Sequence, residues 1–201
     1  MTRFLTEVAG HERFTAVQDA CVLYPVSVAD SLISLAAAGL YAAKWTIAIE
    51  EEWLRNLERA RPELRGRLQL RRDDMRAALP DWQISNLAWQ AIAPSLRLPD
   101  PDDAHVLAAA AIVGHADCIV TSNLKDFPAE TLKSYGIEAI HPDDFLVAQL
   151  DLDEFSALAA FRDMRARKKN PTLNSEEFAQ ALERNGLVAT ASRLRAAAAL
   201  I

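Results

Sequence analysis

The segment LPDPDDAHVLAAAAIVGHADCIVTSNLKDFP, residues 98–128, decides how the chain is read. Pro99 and Pro101 frame a turn. Asp102 and Asp103 follow at a helix start, where carboxylates favour the helix dipole. The apolar run carries that helix to about His115. CIVTS (118–122) is then a short, fully apolar strand of the kind buried on both faces of a parallel sheet. A polar turn closes at Pro128. A helix that leads straight into a buried strand is the building unit of a parallel α/β fold.

Working outward, the same alternation recurs on both sides. FTAVQ (14–18) reads as the first strand and ends at Asp19. After Pro25, SVADSLISLAAAGLY (27–41) places Val28, Leu32, Leu35, Ala36 and Leu40 at helical spacing, with Ser27 as N-cap and Gly39 near the stop. Residues 46–60 form a helix with a buried stripe of Ile49, Trp53 and Leu57, capped by Thr46. A further helix opens at Pro62 and runs through Leu64, Leu68 and Met75 towards Pro80. Residues 81–98 lack clean periodicity and read as a mostly extended connection. Beyond Pro128, TLKSYG is a helix end closed by Gly136, IEAI a last strand, and PDDFLVAQL a helix with Pro142 near N1.

After Leu150 the pattern changes to helices only. DEFSALAAFRDMRARKK is the first. NSEEFAQALERNG is the second, with Asn174 and Glu177 in capping-box positions and Gly186 at its stop. VATASRLRAAAAL is the third, and Asn170-Pro171 separates the first two. No internal repeat is visible. The expectation is an α/β domain over residues 1–150, with a central parallel sheet of four or five strands and helices on both faces. A helical C-terminal extension occupies residues 151–201.

Composition narrows the class. The 201 residues are 51% hydrophobic and 25% charged, which excludes disordered, collagenous and coiled-coil chains. No apolar run approaches the roughly 20 residues that span a bilayer. MTRFLTEVAGHER at the N-terminus has no signal-peptide core. Cys21 and Cys118 make no disulfide framework, so a reducing cytoplasm is the expected setting. The net charge is −6, with −7 on residues 1–150 and +1 on residues 151–201. An acidic body disfavours simple electrostatic capture of nucleic acid unless cations neutralise its carboxylates.

The acids carry the chemistry. In parallel α/β sheets ligands gather at the carboxyl ends of the strands. Asp19 ends the first strand. Asn123 and Asp126 follow the CIVTS strand. Asp100, Asp102 and Asp103 precede the helix that leads into it, and Glu50, Glu51 and Glu52 sit inside the helix of residues 46–60. If the two strands are neighbours, four acidic segments converge on one rim. Close carboxylates repel, and burial raises the cost, so such a cluster needs something positive. An all-oxygen donor set without His–Cys zinc spacing points to Mg²⁺ or Mn²⁺. Such an ion suits phosphoryl chemistry.

Each acid also has a plain reading. Asp at a strand end is commonly a turn or cap residue. Glu50 to Glu52 are by default a solvated face, with Glu52 bordering the core beside Trp53 and Glu51 outward. Asp102 and Asp103 suit a helix start. His11, His105, His115 and His141 are scattered and read as surface or helix-end residues. Both cysteines read as inert buried thiols. Trp82 and Trp89 read as core or rim. No G-x-S-x-G, P-loop or G-x-G-x-x-G occurs.

Four blocks together resemble a PIN domain, the nuclease fold of VapC-type toxins, over residues 14 to about 147. VQDACVLYP resembles its first strand with a leading catalytic Asp, here Asp19. WTIAIEEEWLRNL resembles the helix that supplies a second acid, at Glu52. LPDPDDAHVLAAA resembles the third block, with Asp103 as main acid and Asp100 as companion. IVTSNLKDFP resembles the last, with Asn123 and Asp126. Two positions differ. Cys21 stands where many members have Asn or a hydroxyl residue, a poor substitute expected to loosen the site. Asn123 stands where many have Asp.

The helices after residue 150 resemble the extension of a longer subgroup, and ARKK (166–169) is a candidate RNA contact beside its plain reading as a solvated helix end. The resemblance implies a Mg²⁺- or Mn²⁺-dependent ribonuclease, the toxin of a type II toxin–antitoxin pair, cytoplasmic, homodimeric and held by a cognate antitoxin. Asp19, Glu52, Asp103 and Asp126 would be the catalytic and metal-side residues, with Asn123 and Asp100 secondary. The rival is a non-catalytic PIN-like scaffold that binds RNA or protein. A phosphatase-type Asp nucleophile usually has an acid two residues on, where this chain has Cys21.

Overall fold

The structure, a computed structural model, describes residues 13–112 and 116–201. The expected helix end at His115, together with His11 and the N-terminal residues up to Glu12, lies outside the described residues.

Five parallel strands form one sheet in the order β3-β2-β1-β4-β5, with β1 at Thr15–Gln18, β2 at Ala42–Thr46, β3 at Gln83–Ile84, β4 at Ala116–Val120 and β5 at Glu138–Ile140. Successive residues of a strand face opposite sides. Every residue of β1 is buried, as are Cys118, Ile119 and Val120 of β4, so helices cover both faces of the sheet. This is the α/β architecture expected, with the helical region at the C-terminal end.

Between the strands run α1 (Ala20–Leu23), α2 (Val26–Ala37), α3 (Ile47–Ala60), α4 (Leu68–Ala78), α5 (Asn86–Gln90), α6 (Ala104–Ile112) and α7 (Ala129–Lys133). Thr46 caps α3 as expected, its Oγ1 accepting the Ile49 N–H at 3.1 Å. The central position of β1 matters most. The chain moves from β1 outward through β2 to β3, then returns to add β4 on the other side of β1. That reversal creates a crevice at the carboxyl ends of β1 and β4, where open parallel sheets bind ligands.

Several local expectations are corrected. β2 and β3 are strands that the hydrophobic pattern hides. β2 is AAKWT, in which Lys44 breaks the apolar run, and its ammonium is taken up by the backbone oxygen and carboxylate of Asp81. Residues 81–98 are not an extended connection: they hold β3, α5 and a 3-10 turn at Ala93–Ser95. Ser27 does not cap α2, which starts at Val26 behind Pro25. The helix expected from Pro62 is a 3-10 turn, Pro62–Leu64, followed separately by α4. Gly66 divides them with φ +73°, a conformation that glycine adopts without strain.

The C-terminal region is helical throughout its regular elements: α8 (Pro142–Leu152), α9 (Glu154–Arg167), α10 (Ser175–Glu183) and α11 (Val188–Ala196). The capping box of Asn174 and Glu177 is formed. α8 holds α11 through the buried Asp143 carboxylate, which accepts the Ala189 and Thr190 N–H groups at 2.8 Å each. α9 lies against α2. There the basic stretch ARKK, a candidate RNA contact or a solvated helix end, is largely engaged within the fold: Arg167 donates to Ser34 Oγ at 2.7 Å, and Lys168 pairs with Asp30. Among the described residues no helix is long and apolar enough to cross a membrane. Cys21 and Cys118 are both free.

Glu50 is the sharpest departure. It does not join a solvated face but is buried, with its carboxylate on Arg76 at 2.5 Å. The guanidinium lies 4.9 Å over Trp82, which stacks on Trp45 at 4.9 Å. Glu50 keeps 4% side-chain exposure and Arg76 34%. Removing the cation therefore strands a dry carboxylate, whereas neutralising Glu50 leaves an arginine that still reaches water. Urea unfolding is expected to show a loss of about 3 kcal/mol for Arg76→Ala against about 1 kcal/mol for Glu50→Gln. The reverse order would contradict this account of the pair.

Candidate active site

The sheet places Asp19 first. β1 and β4 pair in register from Ala16–Cys118 to Gln18–Val120, so the residues that follow, Asp19 and Thr121, stand side by side at the crevice. Asp19 is buried and donates its N–H to the Val120 carbonyl at 3.1 Å. It occupies the N-cap position of α1, yet its carboxylate makes no capping bond. Oδ2 instead accepts the Thr121 hydroxyl at 2.7 Å and the Cys21 thiol at 2.9 Å. The plain reading of Asp19 as a cap is therefore not what its side chain does.

Cys21 also accepts the Ser122 N–H at 3.2 Å. The expectation that it loosens the site is corrected: the thiol takes the donor's place and ties α1 to the segment after β4. Burial, and after it the neighbouring Asp19 charge, pushes the thiol up to about 12, so it stays protonated and able to donate. Thr121 Oγ1 accepts the Asn123 N–H at 3.0 Å and donates its own hydrogen bond to Asp19.

The other acids arrive from three segments. Asp103 ends the 3-10 turn Pro101–Asp103, just before α6. Asp126 ends the 3-10 turn Leu124–Asp126. Glu52 lies on α3 and is half-buried. Burial first, then the charges of Asp19, Asp100, Asp126 and Glu52, push Asp103 up to about 7. The acids predicted as site residues thus all act electrostatically on one carboxyl group. Burial also raises Glu52, with Asp19 and Asp102 adding to the rise and His105 and Arg55 opposing it. Asp100 has a structural task as well, accepting the Asp102 N–H at 2.9 Å. Asn123 is exposed and contributes its backbone N–H rather than a side-chain bond within the cluster.

Sequence reasoning missed three supporting residues. Thr121 and the role of Cys21 become visible only once β1 and β4 are known to pair. His105 was set aside as a helix-end residue. Its Nδ1–H donates to the Asp102 carbonyl at 2.7 Å, and its Nε2 lies 3.5 Å from Glu52 Oε2. Its position two residues after Asp103 was the available signal.

Among the described residues no lysine or arginine forms an ion pair with Asp19, Glu52, Asp100, Asp103 or Asp126. As they stand, no three described His, Cys, Asp or Glu side chains form a ready-made metal site. The donor chemistry nevertheless fits a hard divalent cation: the acids are all oxygen ligands, crowded enough to hold Asp103 near neutrality, and among the described residues no lysine or arginine is paired with them.

Comparison with known proteins gives two findings. Residues 142–196 match the family model described as the VapC50 C-terminal domain. The chain is also 46% identical over 80 residues to the protein named "Putative ribonuclease VapC50" of Mycobacterium tuberculosis. That stretch covers 40% of this chain, and the chain spans about half the length (47%) of the curated relative it matches. No solved structure matches.

The crowding has a measurable consequence in the cation-free protein. Asp103 binds its proton more tightly folded than unfolded. The stability this gives is complete below pH 4 and is lost as pH rises through about 7. Asp103→Asn removes a repelled carboxylate. In EDTA the variant is expected to melt above the wild type at pH 8, with the gap closing at pH 4. A variant that melts lower at pH 8 would show the carboxylates are not crowded.

Proposed function

We propose that this VapC50-like chain is a divalent-cation-dependent ribonuclease, the toxin of a type II toxin–antitoxin pair. The observation that carries the reading is the set of carboxylates from four segments that converge, with no lysine or arginine paired to them among the described residues, at the crevice between β1 and β4. The nuclease domain is taken as residues 1–150 and the helical extension as residues 151–201. RNA as substrate, a cognate antitoxin, a homodimer and a cytoplasmic setting follow from the VapC likeness and belong to the same proposal.

In this reading Asp19, Asp103, Glu52 and Asp126 hold Mg²⁺ or Mn²⁺, with Asn123 and Asp100 at the margin. Bound there, the cation supplies an acidified water and stabilises negative charge on the departing oxygen. The chain's own residues do the rest. Thr121 and Cys21 fix the Asp19 carboxylate from one side, leaving its other oxygen for a ligand. His105, held by the Asp102 carbonyl, stands 3.5 Å from the Glu52 carboxylate. The rise at Asp103 implies that loading displaces a proton near neutral pH, so affinity for the cation climbs between pH 6 and 8.

Asn123 and Cys21, together with the lack of a ready-made three-ligand set among the described residues, favour the rival reading, a PIN-like scaffold that binds RNA or protein without cutting it. Incubation of single-stranded and structured RNA with the purified protein, in Mg²⁺, Mn²⁺ or EDTA, separates the two. The expected result is cleavage that EDTA abolishes and that falls at least ~100-fold in both Asp19→Asn and Asp103→Asn. Cleavage that survives EDTA or both substitutions would overturn the site. A protein that shows no Mn²⁺ heat in calorimetry and no cleavage would be the scaffold.

A further inference from the structure

Trp89 lies outside the carboxylate cluster but next to it. It belongs to α5, which lies against α6. Its ring stands 5.9 Å from the His105 ring with a 56° tilt, and His105 in turn meets Glu52 at 3.5 Å. Trp89 is thus one side chain away from a site acid. Its Nε1–H donates to Asn86 Oδ1 at 3.4 Å, which orients the indole. The ring is only half-buried, unlike every other tryptophan of the chain: Trp45 and Trp53 are fully enclosed and Trp82 is 7% exposed.

A crevice lined by carboxylates needs positive charge at its margins to seat a polyanion. Arg55, one turn beyond Glu52 on α3, is exposed and close enough to lower the Glu52 pKa. Lys125 is exposed between Asn123 and Asp126. Among the described residues neither is in an ion pair with an acid. Exposed cations from two different elements thus neighbour site acids along the chain, and a half-buried indole packs beside His105. This combination suits a single strand: cations meet phosphates, and the aromatic face meets an unpaired base. A base inside a duplex has both faces covered by its neighbours.

From this placement we infer that Trp89 stacks on an unpaired nucleobase beside the bond held at the acidic rim. Arg55 and Lys125 hold the flanking phosphates. The inference deepens the nuclease reading and rests on it. It assigns Trp89 as a substrate-positioning residue.

The protein carries its own reporter, because Trp89 is the tryptophan that reaches solvent. Asp103→Asn protein in Mg²⁺, titrated with an unstructured oligoribonucleotide, is expected to show saturable quenching of tryptophan fluorescence. The same strand annealed to its complement is expected to leave the emission unchanged. In that background Trp89→Ala should weaken single-strand affinity roughly ten-fold by anisotropy of a labelled strand, whereas Trp89→Phe, which keeps an aromatic face, should hold it within roughly three-fold. If the Ala variant does not fold, wild-type quenching and the Phe variant decide the matter.

A strand that fails to bind, binds without quenching, or binds the Ala variant equally well overturns the stacking role. Equal quenching by duplex overturns stacking on an unpaired base. The wild-type cleavage assay is scored separately. EDTA-sensitive cleavage with an unquenched Trp89 removes this inference and leaves the nuclease reading, and quenching without cleavage does the opposite.

Discussion

The parallel pairing of β1 with β4 is the constraint on which the site depends. Two buried strands in fixed register must end at the same height, so Asp19 and Thr121 emerge side by side whatever their side chains prefer. A slip of one residue would turn Asp19 towards the other face of the sheet and remove the first acid from the crevice. The apolar content of both strands fixes that register. β1 has no exposed residue, and the last three residues of β4 have none either. Hydrophobic burial thus creates the electrostatic strain at the crevice. A buried carboxylate beside three or four others is an unfavourable arrangement that the strands impose and the surrounding acids cannot escape.

Hydrogen bonding then decides how that strain is distributed. Asp19 is the driest acid, and it receives two side-chain donors, Thr121 and Cys21. Among the described residues Asp103 receives none, and burial with the neighbouring charges pushes it up to about 7. Burial and uncompensated neighbouring charge both disfavour the ionised form of Asp103. Cys21 shows why residue type alone misleads. A thiol is a weak donor in water, but burial here keeps it protonated, and its Sγ doubles as acceptor for the Ser122 N–H. The PIN-like pattern allots a hydroxyl or amide to this position; the geometry needs only a donor that also grips the segment after β4.

Much of this was legible in the amino-acid sequence. Strong apolar runs with clear punctuation, such as the Ala104–Ile112 helix leading into CIVTS, settle an α/β reading. The order of the acids along the chain marks the rim. What stayed hidden has two causes. β2 and β3 are short, and Lys44 disguises the first of them, because the partner that neutralises it, Asp81, is 37 residues away. No local pattern reports such a distant pairing. Thr121 and His105 acquire meaning only through neighbours from other elements, so their types and positions were visible but their roles were not.

Glu50 and Glu52, two residues apart on one helix, show what separates a structural acid from a site acid. Glu50 falls on the stripe of Thr46, Trp53 and Leu57 and turns into the core, where Arg76 meets it with two nitrogens and two tryptophans enclose the pair. Glu52 lies about 200° round the helix and faces Asp19, Asp102 and His105, with Arg55 near but exposed. Burial affects both; the difference is whether the protein supplies a dedicated cation. Where it does, the charge is spent on stability and no ligand is required. Where it does not, the charge remains available, and the same absence of a fixed partner that costs folding energy leaves room for a diffusible one. By that criterion the acids of this chain divide cleanly: Glu50, Asp30, Asp81 and Asp143 are committed to cations or backbone N–H groups within the fold, while Asp19, Glu52, Asp103 and Asp126 are not paired with a lysine or arginine among the described residues.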